Sequence, residues 1–395
     1  MSNPNTDKTL LAAREEINRI DREMAELFCR RLRAVQDVAA YKKSRGLPVY
    51  DPKREADVVS RNAAAIEDDV MRDYYICQLQ TTMALSRRYQ HRLLQGENVA
   101  YSGVPGAFAE HAAGVIFPDA ALISCRDFNA AYEAVVRGEC ECAVLPIENS
   151  IGGDVAQVLD LAYAGSLSVT GVYELEIEQN LIGLPGATVQ DIKEVVSHPQ
   201  ALSQCAPYLQ KGGWTLREAV NTATAARDIA AAGNKTVAAI GTREAAARYG
   251  LEVLEANIGA DQANTTRFAV FSRVPRQPQA TDGRFLLFFT VRNQAGALGR
   301  AVDCIGRSGF NLRALKSRPT KESNWSYYFF AEGEGNLQDE SGRTMLRELE
   351  SACETVRVLG SYESEIKLKG DRFEREKQDA ADAVAVSTMT EIKEI

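Results

Sequence analysis

The sequence predicts a multidomain protein with an all-helical N-terminal region, a central α/β region and a C-terminal α+β region. Three observations support this division. A helical repeat of apolar residues runs through residues 10–43 without glycine or proline. Short apolar segments alternate with helical stretches from residue 98 to 273, and a βαββαβ order follows a proline-rich segment. The chain has 395 residues, of which 45% are hydrophobic and 25% charged, so it is long enough for several folded domains.

The helical region spans residues 1–95. Its first helix is predicted over residues 10–43 and ends before a turn that contains glycine and proline. Asp51 then stands where an N-cap is expected, and Pro52 occupies the first position of a second helix. A third helix is predicted over residues 70–94. The region is therefore expected to contain helices and no strands.

The first helix is too long for the two shorter helices of the same chain to cover it. About 34 residues at about 1.5 Å per residue make a helix of roughly 50 Å. We therefore expect a second copy of the chain to pack against it. The sequence does not decide between a dimer and a tetramer.

Basic residues of the first helix are candidates for anion binding. Arg31 and Lys42 are 11 residues apart, which places them on nearly the same face and about 16 Å apart along the axis. Arg14 lies about 25 Å before Arg31, so it could join them only from another chain. Ser86 and Gln90 share one face of the third helix. The alternative is that these polar residues form a solvated helix face.

The α/β region is predicted to have largely parallel sheets, with polar segments after its apolar strands, where such folds place ligand sites. These segments are GVPGAF at 103–108, PIENSIGG at 146–153, SHPQ at 197–200 and TTRF at 265–268. NTAT at 221–224 either caps a helix or offers its amides to an anion. His198 is either a turn residue or a catalytic one. Cys205 lacks a histidine partner and is predicted to be a buried, inert thiol.

The remainder of the chain follows a polar, proline-rich segment. Residues 274–283 are predicted to be a linker. Residues 284–368 read as βαββαβ, the ferredoxin-like order, with one of the strands at 325–333. Residues 369–395 are mostly charged, small or polar and are predicted to be a mobile tail.

Composition limits the classes of function. No apolar stretch approaches the roughly 18 residues of a membrane span, and the N-terminus lacks the apolar core of a signal peptide, so we expect a cytoplasmic protein without membrane contacts. Eight cysteines form no CxxC pair and three histidines are not at ligand spacing, so no metal is expected. Dinucleotide and P-loop motifs are also absent from the sequence, so we predict that no cofactor is needed.

The charge distribution favours a small anionic ligand over a nucleic acid. Residues 1–95 carry 17 Lys and Arg against 14 Asp and Glu, and the remaining residues carry 29 against 40. Aromatic residues, which would stack on nucleic-acid bases, are sparse in the positive region. No nucleic-acid partner is therefore expected.

Residues 10–92 resemble the all-helical chorismate mutase family. The resemblance rests on a dispersed set of polar residues: Arg14, Arg31, Lys42, Asp51, Arg54, Glu55, Ser86 and Gln90. That family forms intertwined dimers whose pocket takes one arginine from the partner, a role that the resemblance assigns to Arg14. Chorismate rearranges without a covalent catalyst, so the protein can only select the compact conformer and stabilise developing charge.

The resemblance also implies individual roles. It assigns the substrate carboxylates to three guanidinium groups, which stay ionised and bind carboxylates in pairs of hydrogen bonds, those of Arg14, Arg31 and Arg54. Lys42 and Gln90 would donate to the ether oxygen. Glu55, with Asp51 nearby, would face the substrate hydroxyl. N-capping alone also explains Asp51, and a small residue at a helix crossing is the alternative for Ser86.

Residues 98–273 resemble prephenate dehydratase, chiefly through PIENS and TRF. That family folds as two α/β lobes, similar to periplasmic binding proteins, with the active site in the cleft. The resemblance implies that Thr266 assists departure of the ring hydroxyl, as a hydrogen-bond donor, because a threonine hydroxyl is a poorly matched general acid. Glu148, Asn149 and Gln204 would position the substrate. Arg267 would hold a carboxylate or order its loop.

Residues 284–368 look like the ACT regulatory domain of such dehydratases. GALG at 296–299 and KSRP at 316–319 resemble the GALV and ESRP segments that line an amino-acid pocket between subunits. Gly299 stands in place of a valine and Lys316 in place of a glutamate, which removes an apolar wall and reverses a charge. The resemblance implies L-phenylalanine as the effector and four effector-binding residues, Gly296, Ala297, Leu298 and Arg318.

Together the resemblances imply a bifunctional enzyme of phenylalanine biosynthesis with domains at 1–95, 97–273 and 284–368. It would convert chorismate to prephenate, and prephenate to phenylpyruvate by dehydration and decarboxylation, with feedback by L-phenylalanine. Two alternatives stay open. One is a dehydratase that prefers arogenate and carries the same mutase domain, and the other is a non-catalytic amino-acid sensor.

Overall fold

A computed structural model describes residues 4–260, 264–320 and 326–368, with side chains from residue 9 onward. The chain divides into two compact units, and the boundary in the sequence falls between Glu97 and Asn98. The predicted tail at 369–395 lies outside the described residues, as does residue 325, where one strand was predicted to begin. No helix among the described residues is long and apolar enough to cross a membrane.

The first unit is a three-helix structure, as predicted. Its helices are α1 (Pro4–Arg45), α2 (Pro52–Ala63) and α3 (Asp69–Gln95). The side chain of Asp51 caps α2 by accepting a hydrogen bond from the backbone N–H of Arg54 at 3.0 Å. Both α1 and α2 pack against α3. Helix α1 has 42 residues and extends beyond both ends of its predicted range through polar residues and a proline.

An apolar stripe along α1 stays exposed in the single chain. Its members are Leu10, Leu11, Ile17, Ile20, Met24, Leu27, Phe28, Val38 and Tyr41. The buried side chains of this unit are few by comparison: Ala39, Ala63, Met83, Ser86 and Gln90. Most helices in proteins are stabilised by packing of an apolar face, so this unit has an apolar surface that its own chain leaves uncovered.

The first lobe of the second unit is built on a seven-stranded sheet in the order β16-β5-β11-β3-β1-β2, with β4 paired to β3. The strands of this lobe are β1 (Asn98–Ser102), β2 (Ala121–Cys125), β3 (Cys142–Asn149), β4 (Gly153–Asp154), β5 (Ser168–Glu176), β11 (Thr265–Ser272) and β16 (Ile366–Lys367). Its helices are α4 (Phe108–Ile116), α5 (Phe128–Val136) and α6 (Ala156–Ala164).

The second lobe is a five-stranded sheet in the order β10-β6-β9-β7-β8. Its strands are β6 (Asn180–Gly183), β7 (Glu194–Ser197), β8 (Thr215–Glu218), β9 (Val237–Gly241) and β10 (Glu252–Glu255). Its helices are α7 (Pro199–Gln204), α8 (Ala206–Gly212), α9 (Thr222–Ala232) and α10 (Arg243–Tyr249).

The prediction of largely parallel sheets was wrong, because both sheets are mixed. Strand β11 is antiparallel to its neighbours β3 and β5, and β6 is antiparallel to β9 and β10. The chain leaves the first lobe after β5 and re-enters it at β11. A strand that returns from the other lobe starts at the cleft, so it runs opposite to the strands that end there.

The two lobes also touch through the turn before α4. The backbone carbonyls of Pro105 and Gly106 accept hydrogen bonds from Tyr249 Oη at 2.6 Å and from Thr242 Oγ1 at 3.3 Å. Gly106 has a φ of +90°, and a Cβ there would lie 3.1 Å from the Cα of Ala245. Glycine is therefore required at this turn because the backbone approaches a helix of the other lobe.

The C-terminal region has the predicted βαββαβ order. Its elements are β12 (Arg284–Thr290), α11 (Ala297–Arg307), β13 (Asn311–Pro319), β14 (Tyr327–Glu334), α12 (Glu340–Ala352) and β15 (Thr355–Tyr362). The sheet order is β13-β14-β12-β15 and every pair is antiparallel. This is the ferredoxin-like arrangement.

Strand β12 is buried on both faces, which explains its uninterrupted apolar run. Phe285 and Phe289 pack with the helices of the ferredoxin-like region, whereas Leu286 and Phe288 share a core with the first lobe. Successive side chains of a strand point to opposite faces, so one strand serves both cores. The ferredoxin-like region and the first lobe therefore form one continuous structure.

Candidate active site

A cavity of about 630 Å³ lies between the two lobes of the α/β unit. Its walls include the ends of β3 and β11 from the first lobe and the start of α7 and α9 from the second lobe. Three of the predicted residues border it, namely Asn149, Gln204 and Thr266. The motifs PIENS and TTRF therefore meet at one place, since β3 and β11 are neighbours and Asn149 pairs with Thr266 in the ladder.

The polar groups of this cavity form a chain of hydrogen bonds. Asn149 Nδ2 donates to Thr266 Oγ1 at 2.9 Å and to Asn264 Oδ1 at 2.8 Å. Asn264 Nδ2 donates to Gln204 Oε1 at 3.2 Å, and Gln179 Nε2 donates to the same oxygen at 3.1 Å. Asn264 and Gln179 are buried. The chain thus joins both lobes and consists of neutral groups.

Several helices begin at this cavity. Residues at the start of α4, α6, α7 and α9 all border it. The first turns of α4 and α6 have no side-chain cap, so their backbone N–H groups are open to a ligand. Helix N-termini carry partial positive charge and favour anions. Arg126 adds a guanidinium at the rim, with a side chain that is 82% exposed.

The structure does not bring Glu148 and Arg267 into this cavity, so it offers no support for their predicted roles in positioning the substrate and binding its carboxylate, and the alternative role of Arg267 in ordering its loop stays a prediction. Each is adjacent in sequence to a cavity residue, and alternate side chains of a strand point to opposite faces. Glu148 and Arg267 form an ion pair at 2.9 Å on the face of the sheet that the ferredoxin-like region covers. Neither residue borders the cavity.

On that face the two residues belong to an ionic cluster. Arg267 also binds Glu332 of β14 at 2.7 Å and Glu365 at 3.1 Å, and Lys316 of β13 binds Glu148 at 2.9 Å and also Asp154. Burial opposes ionisation of Glu148, but hydrogen bonds from Lys316 and Arg267 outweigh it and hold the pKa of its carboxyl below its ordinary value. The lysine at position 316, in place of the glutamate that the resemblance implies, therefore contacts carboxylates of the first lobe.

The helical unit brings three predicted residues together. Arg31 donates to the hydroxyl of Ser86, and Gln90 lies one turn further along α3, with its Nε2 3.4 Å from the Ser86 carbonyl. Ser86 and Gln90 are buried, and Gln90 Oε1 has no hydrogen-bond partner among the described residues. Buried amide oxygens are rarely left unpaired, so a donor is expected at this position when the site is occupied.

The other predicted residues of the helical unit are more dispersed. Glu55 forms an ion pair with Arg87, and Lys42 donates to the carbonyl of Val49. Asp51 and Arg54 are exposed at the start of α2. The remaining member, Arg14, is exposed on α1 and about 25 Å from Arg31 along the helix, so a single chain does not bring these two together.

The predicted effector residues do not converge in the single chain. Gly296 is exposed with a φ of +77°, and Ala297 is buried in the core of the ferredoxin-like region. Arg318 is bound to Asp160 of α6 at 2.6 Å and 3.1 Å. Only Leu298 borders a nearby cavity of about 450 Å³, which Tyr163 of the first lobe also lines.

Two further residues singled out in the sequence are His198 and Cys205. The ring nitrogen Nδ1 of His198 accepts the backbone N–H of Gln200 at 3.2 Å and caps α7, although His198 also borders the cleft cavity. Cys205 is fully buried, and burial raises the pKa of its thiol to about 12. The predicted burial of Cys205 is therefore confirmed, and its inertness stays a prediction that the raised pKa favours.

Sequence reasoning missed Gln179, Asn264 and Arg126. Asn264 directly precedes the TTRF motif and Gln179 lies just before β6, so both stand where the chain crosses between the lobes. That crossing was the available signal, because residues at a lobe crossing border the cleft. Arg126 follows β2 at the same edge of the sheet as the other strand ends.

Family comparisons match two parts of the chain. The prephenate dehydratase family model matches residues 99–276, and the chorismate mutase type II model matches residues 13–91. The first match contains the whole cleft cavity between the lobes. The second contains α2 and most of α1 and α3.

Individual proteins agree with these matches. An arogenate dehydratase/prephenate dehydratase of Arabidopsis thaliana is 36% identical over 67% of this chain and 72% of its own length. A bifunctional chorismate mutase/prephenate dehydratase of Enterobacter agglomerans is 29% identical over 91% and 97%.

Two solved structures have the same fold as the second unit. A prephenate dehydratase of Arthrobacter aurescens in complex with L-Phe is 26% identical over 73% of this chain and 99% of its own, with a TM-score of 0.63. A protein described as GqqA, a novel type of quorum quenching acylase, is 31% identical over 67% and 97%, with a TM-score of 0.63.

Proposed function

Because the chain belongs to the prephenate dehydratase family and carries a chorismate mutase type II domain at its N-terminal end, we propose that it converts chorismate to prephenate and prephenate to phenylpyruvate. The observation that carries the second step is the meeting of Asn149 and Thr266 in the cavity between the lobes. The product of the helical unit is the substrate of that cavity.

Dehydration at the cleft needs a donor for the departing oxygen and a site for two carboxylates. As the ring carboxylate leaves as carbon dioxide, its bonding electrons enter the ring and the carbon–oxygen bond of the ring hydroxyl breaks. The released hydroxide takes up a proton to form water. Thr266 donates a hydrogen bond to the leaving oxygen, and aromatisation of the ring supplies much of the driving force. Preorganised donors of this kind stabilise charge that develops in the transition state.

The substrate carboxylates lie against the open N-termini of α4 and α6, with Arg126 at the rim. Backbone N–H groups at a helix start bind carboxylates well, and the helix dipole adds to this attraction. This arrangement replaces the sequence-based assignment of a carboxylate to Arg267, whose guanidinium is occupied by Glu148, Glu332 and Glu365.

The mutase step uses the helical unit and a second chain. Arg31, Lys42 and Gln90 hold the substrate from one chain, and Arg14 of the second chain completes the site. The exposed apolar stripe of α1 supports this arrangement, because a partner helix would cover it. We propose a homodimer as the minimal active form of this unit.

A complementation experiment tests the shared site. Arg14→Ala and Arg31→Ala are each expected to abolish mutase turnover. In a heterodimer of the two variants one site carries both substitutions and the other carries neither, so random mixing restores about a quarter of the wild-type rate. If subunit exchange is verified and mutase turnover does not recover, the two arginines either act in a site formed by the same chain or do not belong to the site.

The combined function is tested by one assay. Purified protein given chorismate, with no cofactor or metal added, is expected to release phenylpyruvate. Parallel assays with prephenate and arogenate separate the proposed substrate from the alternative, since the two differ mainly in the amine of the side chain. The absence of turnover with all three would favour the non-catalytic sensor.

L-Phenylalanine is the proposed effector of the ferredoxin-like region, which we assign as an ACT domain. The L-Phe complex of the Arthrobacter aurescens relative supports this assignment. Titration of L-phenylalanine against the dehydration rate is expected to show inhibition. An unchanged rate up to millimolar ligand would remove regulation by this amino acid. Because Gly299 and Lys316 replace a valine and a glutamate of the resembled segments, the affinity for L-phenylalanine is the quantity to measure.

A further inference from the structure

The hydrogen-bond chain in the cleft has a defined direction, which its anchor sets. Asn149 Oδ1 accepts the backbone N–H groups of Ile151 at 3.1 Å and Gly152 at 2.7 Å. Backbone N–H groups can only donate, so the oxygen and nitrogen of the Asn149 amide cannot exchange places without losing both bonds. Asn149 Nδ2 is therefore the donor towards Thr266 and Asn264.

Each following group inherits its direction from the one before. Asn264 Oδ1 accepts from Asn149, so Asn264 Nδ2 is the donor to Gln204 Oε1. Gln179 Nε2 donates to the same Gln204 oxygen, but Gln179 Oε1 has no partner among the described residues, so the direction of the Gln204 amide is set by Asn264. The free Nε2 of Gln204 is consequently left to face the cavity.

The same direction applies to the threonine. Thr266 Oγ1 accepts from Asn149, so its own proton is not needed for that bond and is available to a ligand. Among the described residues no acceptor for this proton is recorded. Two of the groups that border the cavity, the Thr266 hydroxyl and the Gln204 amide, therefore present donors.

We infer that Asn264 is a positioning residue for the dehydration step, which makes Thr266 and Gln204 hydrogen-bond donors at the same time. It accepts from Asn149 with one atom and donates to Gln204 with the other, so it transmits the direction from the backbone anchor of one lobe to a helix of the other. Gln179, in the segment just before β6, donates to the same Gln204 oxygen. This inference rests on the proposed dehydratase function.

Asn264→Leu tests the inference by removing both atoms while keeping a similar side-chain volume. The expected result is a fall in kcat for prephenate dehydration of about 10- to 100-fold with a KM changed by less than about threefold, because the donors at the reacting centre lose their orientation. The melting transition of the α/β unit reports whether this unit is folded, and the mutase rate, which belongs to the separate helical unit, is expected to stay unchanged.

Asn264→Asp tests the role of Asn264 through the pH dependence of kcat, which would not change if the role of Asn264 were purely structural. A protonated carboxyl has the same pattern as the amide, with a carbonyl oxygen that accepts and an O–H that donates, whereas a carboxylate can only accept. Burial raises the pKa of a carboxyl, so the change is expected within the measurable pH range. The ratio of variant to wild-type kcat is expected to be near one in acid and to fall at least about tenfold as the pH rises.

Asn336 provides the matched control. Its amide donates to the carbonyls of Gln279 and Ala280 and accepts the N–H of Gln338, far along the chain from the cleft. Asn336→Leu and Asn336→Asp make the same chemical changes and are expected to leave kcat for dehydration, and its pH profile, as in the wild type.

Three results decide the matter. The inference is overturned if Asn264→Leu keeps kcat within about twofold of wild type, or if the Asn264→Asp ratio is flat with pH. If the Leu variant does not fold, the pH ratio of the Asp variant alone decides. A wild-type protein that does not dehydrate prephenate would instead remove the proposed function.

Discussion

The two candidate sites of this chain are built in opposite ways. The cleft of the α/β unit is lined by neutral amides and a hydroxyl that bond to one another within one chain. The helical unit offers mostly charged groups, several of them exposed, beside an uncovered apolar stripe. The difference teaches that the residues of the first site come together within a single chain, whereas the second site, as we propose it, needs another copy.

The largest effect is expected from the hydroxyl at the cleft. Thr266→Ala should lower the dehydration rate by about a thousandfold, since the departing oxygen loses its donor, while Thr266→Ser keeps part of it. The mutase rate should not change, because the helical unit does not contain this residue. Both rates are measured on the same preparations. A Ser variant less active than the Ala variant would show that the hydroxyl is not the functional group.

The donors of the helical unit come next. Lys42→Ala and Gln90→Ala should each lower mutase turnover by about a hundredfold, as the removal of one donor to a developing negative charge does elsewhere. The melting temperature is expected to change little, because Lys42 is only half-buried and Gln90 has an unpaired oxygen. Near wild-type turnover in both variants would remove these residues from the site.

The dependence on a second chain is tested on the apolar stripe. Ile20→Glu places a charge where we expect a partner helix, so it should weaken association and lower mutase turnover by about tenfold in dilute solution, with recovery at high protein concentration. Dehydration should stay close to wild type. Analytical ultracentrifugation measures the association state. A monomeric variant with full mutase turnover would show that the mutase site does not need a second chain.

A smaller effect is expected at the ionic cluster on the reverse face of the sheet. Lys316→Met removes one partner of Glu148 and should cost roughly 1 kcal/mol of unfolding free energy near neutral pH. The pKa of Glu148 is lowered in the folded protein, so the stability that this carboxylate contributes is present above its unfolded pKa and is lost as the pH falls through the folded one.

The difference in unfolding free energy between wild type and Lys316→Met should therefore become smaller at acidic pH. Unfolding with urea at several pH values measures it, and Lys367→Met serves as the control, because this lysine of the exposed edge strand β16 forms no ion pair with the residues that the structure describes. A difference that stays constant down to pH values well below the carboxyl range would mean that Glu148 is not the partner that matters.

The sequence motifs predicted several residues that border the cleft, and the residues that they placed there wrongly have one feature in common. Asn149, Gln204 and Thr266 were predicted from PIENS, SHPQ and TRF and do border one cavity. Their sequence neighbours Glu148 and Arg267 were placed in the same site because a motif is a continuous string. A strand has a two-residue period, and it sends neighbours to opposite faces.

In the helical unit the sequence predicted the three helices and the cap at Asp51, because helical period and capping are local properties. It also predicted the need for a partner, since the length of α1 is set by its own residues. The roles of Arg14 and Arg54 stay predictions, and that of Arg14 depends on a second chain.

The sequence by itself determined the elements, their order and the motifs, since these follow from local periodicity and residue chemistry. Only the tertiary structure decided which motif residues share a cavity, because that depends on strand register and on the face each side chain takes. Asn264 shows the reason most clearly. Asn264 acts through hydrogen bonds to Asn149 and Gln204, which lie 115 and 60 positions away in the sequence. No local sequence pattern indicates contacts over such separations.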